Sequence, residues 1–158
     1  MVRIFDRKLK KDTIKHYVIQ SFLGALILFL GLNLPIFGEE IILVAAAGST
    51  AFVVFAMPES KPSHPRRVIG SHFVCGLIGF AFHSTYPGLF PFEVAVSLAL
   101  GVAILSMVSL WLEHPPAGGT VIFFVVNAQP TAFVSLLLLV SIMATLSYVV
   151  KPYLHDLV

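Results

Sequence analysis

The sequence predicts an all-α polytopic membrane protein, and three observations lead to that fold class. Of the 158 residues, 58% are hydrophobic and 11% are charged, whereas a soluble domain carries about 25% charged residues. Apolar runs near the length of a membrane-spanning helix recur along the chain. Prolines, glycines and charged residues gather between those runs. A soluble domain of this size buries only about two-thirds of its surface, so it could not hide this much apolar area.

Basic residues are concentrated ahead of the first apolar run. Residues 1–16 contain six lysines and arginines, and positive charge beside a span sets its orientation, so we interpret this segment as cytoplasmic. An amphipathic helix on the lipid headgroups is the alternative. The following run is long for a secretory signal, and the basic segment carries more acidic residues than a transit peptide. We therefore expect a prokaryotic plasma membrane rather than an organelle.

A single transmembrane domain of six membrane segments is predicted over residues 17–150, followed by a short tail at 151–158. A span needs about 20 residues, and five stretches approach that length: 17–34, 41–57, 68–86, 93–112 and 131–150. A sixth, 120–127, covers only about 12 Å as helix and needs the extended residues before it to cross. The alternative is a re-entrant loop at 113–127, which gives five crossings and an external C-terminus.

The loops between the spans carry charge in a pattern that agrees with six crossings. Lys61, Arg66 and Arg67 place the 58–67 loop on the cytoplasmic side, whereas the 86–92 loop has no lysine or arginine. Six crossings then return the tail to the cytoplasm.

The second half of the chain is interrupted at residues 113–120. Pro115 and Pro116 remove two backbone donors and prevent a helix from continuing smoothly. Gly118 and Gly119 allow the backbone to approach a neighbour closely, and Thr120 suits the start of a helix. A broken, polar-edged segment inside an apolar chain usually lines a cavity or a site.

An internal repeat relates residues 47–55 to residues 117–125. Both segments have small residues and a threonine followed by β-branched and aromatic residues. We therefore predict two three-segment repeats, at about 17–86 and 93–150, and the odd number of crossings in each makes them inverted. Helices broken near Gly48 and Gly118 would then meet near the membrane midplane, with Thr50 close to Thr120.

The two predicted breaks suggest a binding site for a small anion. A helix N-terminus offers unpaired N–H groups and a partial positive charge. His114 would pair with the anion or carry a proton, or else only brace its loop. The glycines would contribute to the site, or else only permit close helix packing. The predicted substrate-binding residues are Gly48, Ser49, Thr50, His114, Ala117, Gly118, Gly119 and Thr120.

Three further residues are predicted along the pathway: His72, Arg66 and Glu59. His72 faces the bundle interior or an interface, and it serves the pathway or packing. Arg66 and Arg67 beside Glu59 would form an ion pair or an electrostatic funnel for anions. Small residues at 71, 75 and 79 predict a face for close helix contact.

Several ordered motifs resemble the HPP family of integral membrane proteins, which is named for its His-Pro-Pro. The resemblance implies a small-anion transporter, because plant-plastid and cyanobacterial members are associated with nitrite transport, although many bacterial members have no assigned role. Members are usually described with four spanning helices, fewer than the six predicted here, and Gly119 stands where others have alanine. The resembling residues are 48–51, 58–60, Pro65, Arg66, Ile69, Gly70, His72, 114–118 and Thr120.

The functional prediction is a transporter or channel for a small monovalent anion, nitrite first, with protons as a candidate co-substrate. A non-transporting scaffold or regulatory partner is the alternative, and spans rich in small residues suggest a homo-oligomer. We expect no enzyme activity, cofactor, metal or nucleic-acid partner. The single cysteine excludes a disulfide within the chain, nucleotide and metal motifs are absent, and no acidic residue lies mid-span.

Overall fold

The computed structural model describes residues 11–33, 41–89 and 91–158, and these residues form helices with no strand. The basic residues before position 11, and the joint between the first two spans, lie outside the described residues. Six α-helices and two short 3₁₀ helices follow one another: α1 Lys11–Leu32, α2 Ile41–Ala56, the 3₁₀ helix Lys61–Ser63, α3 Pro65–Leu89, α4 Phe92–Ser109, α5 Ala117–Val126, α6 Pro130–Val150 and the 3₁₀ helix Lys151–Tyr153.

The six helices follow a long, short, long pattern that occurs twice. Helices α1, α3, α4 and α6 are long and apolar enough to cross a membrane, whereas α2 and α5 are shorter apolar helices. At 1.5 Å per residue, the ten residues of α5 extend about 15 Å, roughly half of a bilayer core. The predicted all-α polytopic membrane fold, with six segments, is confirmed.

Helices α3 and α5 run side by side in the same direction. Thr120, early in α5, contacts His72 of α3, and the carbonyl of Val125, near the end of α5, accepts a hydrogen bond from His83 eleven residues further along α3. Gly79 lies between these two contacts. A Cβ atom there would fall 2.5 Å from the Phe124 Cβ atom, so the absent side chain allows α3 and α5 to touch.

The chain ends on the same side of the bundle as the start of α1 and the end of α2. The Tyr17 hydroxyl of α1 donates to the Leu157 carbonyl at 3.2 Å, and the Leu157 N–H donates to the Ala56 carbonyl at 2.9 Å. The alternative with five crossings, which puts the tail on the opposite side, is therefore wrong.

The last turn of α2 is capped by three other parts of the chain. The Val54 carbonyl accepts from Ser147 of α6, and the Phe55 carbonyl accepts from Gln20 of α1 at 2.6 Å. Gln20 is only 2% exposed, and its amide also donates to the tail at His155. These bonds satisfy carbonyls that a helix end leaves unpaired, so they fix α2 between α1, α6 and the tail.

The predicted helix break near Gly48 is wrong, because α2 is continuous from Ile41 to Ala56. A single glycine costs a helix only about 0.5–1 kcal/mol relative to alanine, and no proline accompanies Gly48. The break near Gly118 is present, since α5 begins at Ala117, directly after the two prolines. Only one of the two segments in the predicted repeat therefore contains a helix start.

Candidate functional site

Four polar side chains meet in the middle of the bundle, and we call them the buried cluster: Thr50 of α2, His72 of α3, His114 of the α4–α5 linker and Thr120 of α5. Each is 0% exposed. They come from four separate parts of the chain, and the helices around them are apolar. Polar groups placed this deeply are stable only when they are hydrogen-bonded.

The His72 ring connects the two threonines. Its Nδ1 atom lies 2.6 Å from the Thr120 hydroxyl, and its Nε2 atom lies 2.9 Å from the Thr50 hydroxyl. The sequence prediction that Thr50 lies close to Thr120 thus has a structural counterpart, in which one imidazole holds both hydroxyls. The break predicted at Gly48 was not needed to bring them together.

His114 extends this chain of contacts to the loop after α2. Its Nε2 atom lies 3.1 Å from the Thr50 hydroxyl, and its Nδ1 atom donates to the Pro62 carbonyl at 2.8 Å. The two imidazole rings have centroids 5.3 Å apart. The buried cluster is therefore continuous from Thr120 to the backbone of the 57–64 loop.

Helix α4 ends in a tight turn that directs the linker back into the bundle. The Leu112 N–H donates to the Met107 carbonyl at 2.8 Å, and the Trp111 N–H donates to the Val108 carbonyl at 3.3 Å, the two bonds of a Schellman motif. Trp111 takes the left-handed position of this motif with φ 56°. Leu112 then packs against Gly70 of α3, so the next residues lie beside the start of α3.

The start of α5 does not offer the unpaired N–H groups that the sequence suggested. Prolines 115 and 116 have no N–H. The next three N–H groups donate to carbonyls of the same turn, Ala117 to His114 at 3.0 Å, Gly118 to Pro115 at 3.0 Å and Gly119 to Pro116 at 3.1 Å. An anion at this point would therefore meet side-chain donors rather than backbone amides.

The predicted glycines lie in packing positions around the cluster. Gly119 faces α2, where an added Cβ atom would lie 3.1 Å from the Ala46 Cβ atom, and Gly118 faces Leu100 of α4. Gly48 has an α1 leucine as its neighbour, and Ala117 is fully buried. None of these four residues contributes a polar side chain, so they set the spacing of α2, α4 and α5.

Ser49 lies away from the cluster. Its side chain is on the exposed face of α2, and its hydroxyl donates to the Ala45 carbonyl of the same helix at 2.6 Å. Adjacent residues on a helix point in directions about 100° apart, so Ser49 and Thr50 cannot both face the His72 ring.

Arg67 pairs with Glu113, immediately before His114, through its Nη1 atom and the Glu113 Oε2 atom. The sequence instead suggested that Glu59 would pair with Arg66 or Arg67, and no ion pair joins them within the described ranges. The reason is geometric, because the Schellman turn brings Glu113 to the first turn of α3. Arg66 and Glu59 are both exposed.

A cavity of about 150 Å³ lies on the 57–64 loop next to the end of α6. Lys61, His64 and Lys151 line it together with Glu59 and Ser63. Two lysines against one carboxylate attract anions to this side of the loop. The Pro62 carbonyl that holds His114 belongs to the same loop.

The sequence did not reveal two parts of this site. The Pro62 carbonyl became a partner of His114 only through the fold, since 52 residues separate them, and no side chain marks a carbonyl in advance. The Arg67–Glu113 pair spans 46 residues. A charged residue directly beside His-Pro-Pro was the one available signal, because a carboxylate at membrane depth requires a partner.

The cluster supplies donors and acceptors but no metal site. No group of three or more metal-binding side chains occurs in the part of the chain that the structure describes. No carboxylate is hydrogen-bonded to the four cluster residues. The arrangement can bind a proton, or donate hydrogen bonds to a small anion, without covalent chemistry.

Comparison with known proteins identifies the family. The family model described as HPP, transmembrane region, matches residues 9–155. The chain belongs to the HPP transmembrane family. Two transmembrane proteins of Dictyostelium discoideum resemble it, one 30% identical over 114 residues and the other 29% identical over 90 residues. These alignments cover 70% and 56% of this chain.

The matched part of the HPP chain spans 36% of the length of one relative and 31% of the other. No solved structure matches it. The family assignment agrees with the position of His-Pro-Pro in the fold, where the histidine belongs to the buried cluster and the prolines end the interruption before α5.

Proposed function

We propose that this HPP protein moves a small monovalent anion, nitrite first, across a membrane, with the buried cluster as its site. One observation carries the proposal: two histidines and two threonines from separate parts of the chain are fully buried together in an apolar bundle. Polar residues at membrane depth are costly and mark ion pathways. The resemblance of the sequence motifs to nitrite-transporting members supports nitrite as the first candidate.

The chemistry of the cluster suits an anion. Hydroxyl and imidazole N–H groups donate hydrogen bonds, and a hydrogen bond to a charged group is worth about 1.5–3 kcal/mol. These donors are paired with one another in the structure, so nitrite, which is small and flat, would be held by two or three of them in exchange for their partners within the cluster. Glu113, the carboxylate directly before His114, is already paired with Arg67, which limits its repulsion of an anion.

Access to the cluster requires movement of the helices, because all four side chains are 0% exposed. Transporters with inverted repeats expose a central site to each side in turn by moving one repeat against the other. The packing supports such a repeat: α1 packs on α2 as α4 packs on α5, and α2 packs on α6 as α5 packs on α3. We propose that helices α1–α3 and α4–α6 are these inverted units.

The proposed orientation has the 57–64 loop and both chain ends on the cytoplasmic side of a prokaryotic plasma membrane. Lys61, Arg66 and Lys151 lie at that end of the bundle, and basic residues favour the cytoplasmic face. The same charges would concentrate anions near the His114 end of the cluster.

The test is nitrite uptake into proteoliposomes at neutral to alkaline pH, where leakage of nitrous acid through lipid is small. We expect saturable uptake above that of protein-free vesicles. Thr120→Val should lower uptake about tenfold or more, since loss of one donor to a charged ligand costs about 1.5–3 kcal/mol. Thr85→Val is the matched control, because Thr85 is exposed and bonds only within α3.

The scaffold alternative predicts a different outcome. A correctly folded regulatory or scaffolding protein would give no nitrite uptake above that of protein-free vesicles. The Thr120→Val and Thr85→Val variants would then show the same uptake. That result would reject the transport proposal.

A further inference from the structure

The Thr50 hydroxyl has more neighbours than its single hydrogen can serve. It lies 2.9 Å from the Ala46 carbonyl, 2.9 Å from His72 Nε2 and 3.1 Å from His114 Nε2. A hydroxyl donates one hydrogen bond and accepts two. The positions of the hydrogens on the two histidines therefore decide which neighbour Thr50 donates to.

With both histidines neutral, the hydrogens of the cluster have one consistent arrangement. A carbonyl only accepts, so His114 carries its hydrogen on Nδ1, facing Pro62, and its Nε2 atom must accept from Thr50. His72 must then donate from Nε2 to Thr50 and accept from Thr120 at Nδ1. All donors point one way, from Thr120 towards the Pro62 carbonyl.

With one added proton on His114 Nε2, the cluster has a second consistent arrangement. His114 then donates to the Thr50 oxygen, which also accepts from His72, and the Thr50 hydrogen turns to the Ala46 carbonyl 2.9 Å away. The Pro62 and Thr120 bonds are unchanged. No hydrogen bond is lost on protonation and one is gained, because Ala46 offers the acceptor in advance.

The added positive charge has no negative partner in the cluster. The ionisable groups near His114 are His72, the paired Arg67 and Glu113, and exposed Lys61 beside Pro62. Helices α2, α5 and α6 contain no Asp, Glu, Lys, Arg or His; Tyr148, near the end of α6, is their one ionisable side chain, and Glu93 is the only one in α4, in its first turn. A buried charge without a counter-ion is strongly unfavourable.

We propose that the cluster binds one proton and one monovalent anion together. The proton attaches to His114 Nε2, the Thr50 hydroxyl turns from His114 to Ala46, and the anion supplies the missing negative charge. This inference rests on the proposed function and makes the transport electroneutral. A pH gradient therefore drives the transport, whereas a membrane potential does not. The proton and the anion dissociate together on the far side of the membrane.

The first measurement is nitrite uptake under an imposed pH gradient or an imposed potassium diffusion potential. We expect an inside-alkaline gradient to accelerate uptake, and a diffusion potential of either sign to leave the rate unchanged. Uptake that follows the potential and ignores the pH gradient would overturn the inference while leaving the transport proposal intact.

The second measurement reads binding without transport. The protein, with ¹⁵N-labelled histidine and in lipid nanodiscs, is titrated with sodium nitrite or sodium gluconate, and His114→Gln assigns the His114 signals. Nitrite should raise the doubly protonated fraction of His114. Because binding linkage is reciprocal, the nitrite Kd should rise about tenfold per pH unit above the midpoint.

The Thr50 variants provide the specific control. Thr50→Ser keeps a hydroxyl and should retain the coupling, whereas Thr50→Val should remove it, and Thr85→Val should behave as the parent protein. Nitrite-linked protonation without uptake would reject the transport proposal and retain co-binding. Nitrite uptake without nitrite-linked protonation of His114 would overturn co-binding. The absence of both uptake and protonation would overturn it as well.

Discussion

Thr50 is the residue whose surroundings depend most on a single atom, its hydroxyl oxygen. Replacement with valine conserves shape but leaves His114 Nε2 without a partner. A buried unsatisfied group costs about 1–3 kcal/mol, so we predict that Thr50→Val unfolds at a lower temperature than Thr50→Ser in the same detergent. Equal midpoints for both variants would contradict the hydrogen bonding described for the cluster.

Substitutions of Arg67 and Glu113 should have non-additive effects on the free energy of unfolding. Their side chains are 17% and 37% exposed, and the partial exposure of Glu113 screens the pair, so we expect a coupling of about 1 kcal/mol or less. A double-mutant cycle of Arg67→Ala and Glu113→Ala measures it. The charge-swapped protein, Arg67→Glu with Glu113→Arg, should recover part of the loss, whereas purely additive single losses would exclude the pair.

At the residue scale, the sequence predicted Thr50, His114 and Thr120, because each belongs to a recognisable motif. It left His72 between a pathway role and packing, since a histidine on an apolar helix has no motif to decide its role. It could not indicate Pro62, whose contribution is a backbone carbonyl. Ser49 was included only as a neighbour in the repeat, and helix geometry turns it outwards.

Gly79 should be the position in α3 least tolerant of a larger residue. A Cβ atom there meets the Phe124 Cβ atom at 2.5 Å and the Val121 carbonyl at 2.9 Å, so α3 and α5 would have to separate. Overpacking of this kind typically costs about 1–3 kcal/mol. Gly79→Ala should lower the thermal unfolding midpoint, measured by differential scanning calorimetry.

The matched control is Gly101→Ala, where a Cβ atom meets no atom within 4 Å. Alanine favours helix over glycine by about 0.5–1 kcal/mol, so this variant should be as stable as the parent or more stable. A Gly79→Ala protein as stable as Gly101→Ala would show that α3 and α5 are not in the close contact described.

Trp111 occupies a backbone conformation that suits glycine. Its φ of 56° costs an L-residue about 1–2 kcal/mol, and its side chain is 68% exposed. Trp111→Gly should therefore be more stable than Trp111→Ala, since both lose the ring and only glycine relieves the strain. Chemical unfolding of the two variants measures the difference, and a more stable alanine variant would contradict this conformation.

At the element scale, the strong local signal for a helix break predicted the structure correctly, and the weak one did not. Two consecutive prolines can only interrupt a helix, and α5 begins where they end. A lone glycine is a small perturbation, and α2 continues through Gly48 to a last turn that α1, α6 and the tail hold by hydrogen bonds. The similarity of the two segments therefore reflects small residues at a packing contact rather than two broken helices.

At the scale of the whole molecule, the predicted six crossings require both chain ends on one side of the membrane. Cysteines introduced one at a time as Ser60→Cys and Asp156→Cys should react with a membrane-impermeant maleimide from the same side, and Gly88→Cys from the opposite side. Native Cys75, which is fully buried, should stay unlabelled. Labelling of positions 88 and 156 from one common side would instead support five crossings.

The topology was predictable because charge and apolar length are properties of the chain itself. The tertiary contacts that select six crossings were not, since they join Tyr17 and Ala56 to residues about a hundred or more positions away. The inverted relation of the two halves remains a proposal that follows from the topology and the repeated packing pattern.

The most direct test of the buried cluster as one transport site is a double-mutant cycle on nitrite uptake with His72→Gln and His114→Gln. Residues that act as one unit are strongly non-additive, so the double variant should lose no more uptake than the worse single variant. His83→Gln, which alters a histidine of α3 outside the cluster, should retain parental uptake. Losses that multiply in the double variant, or parental uptake in all three proteins, would contradict the assignment of the cluster as the site.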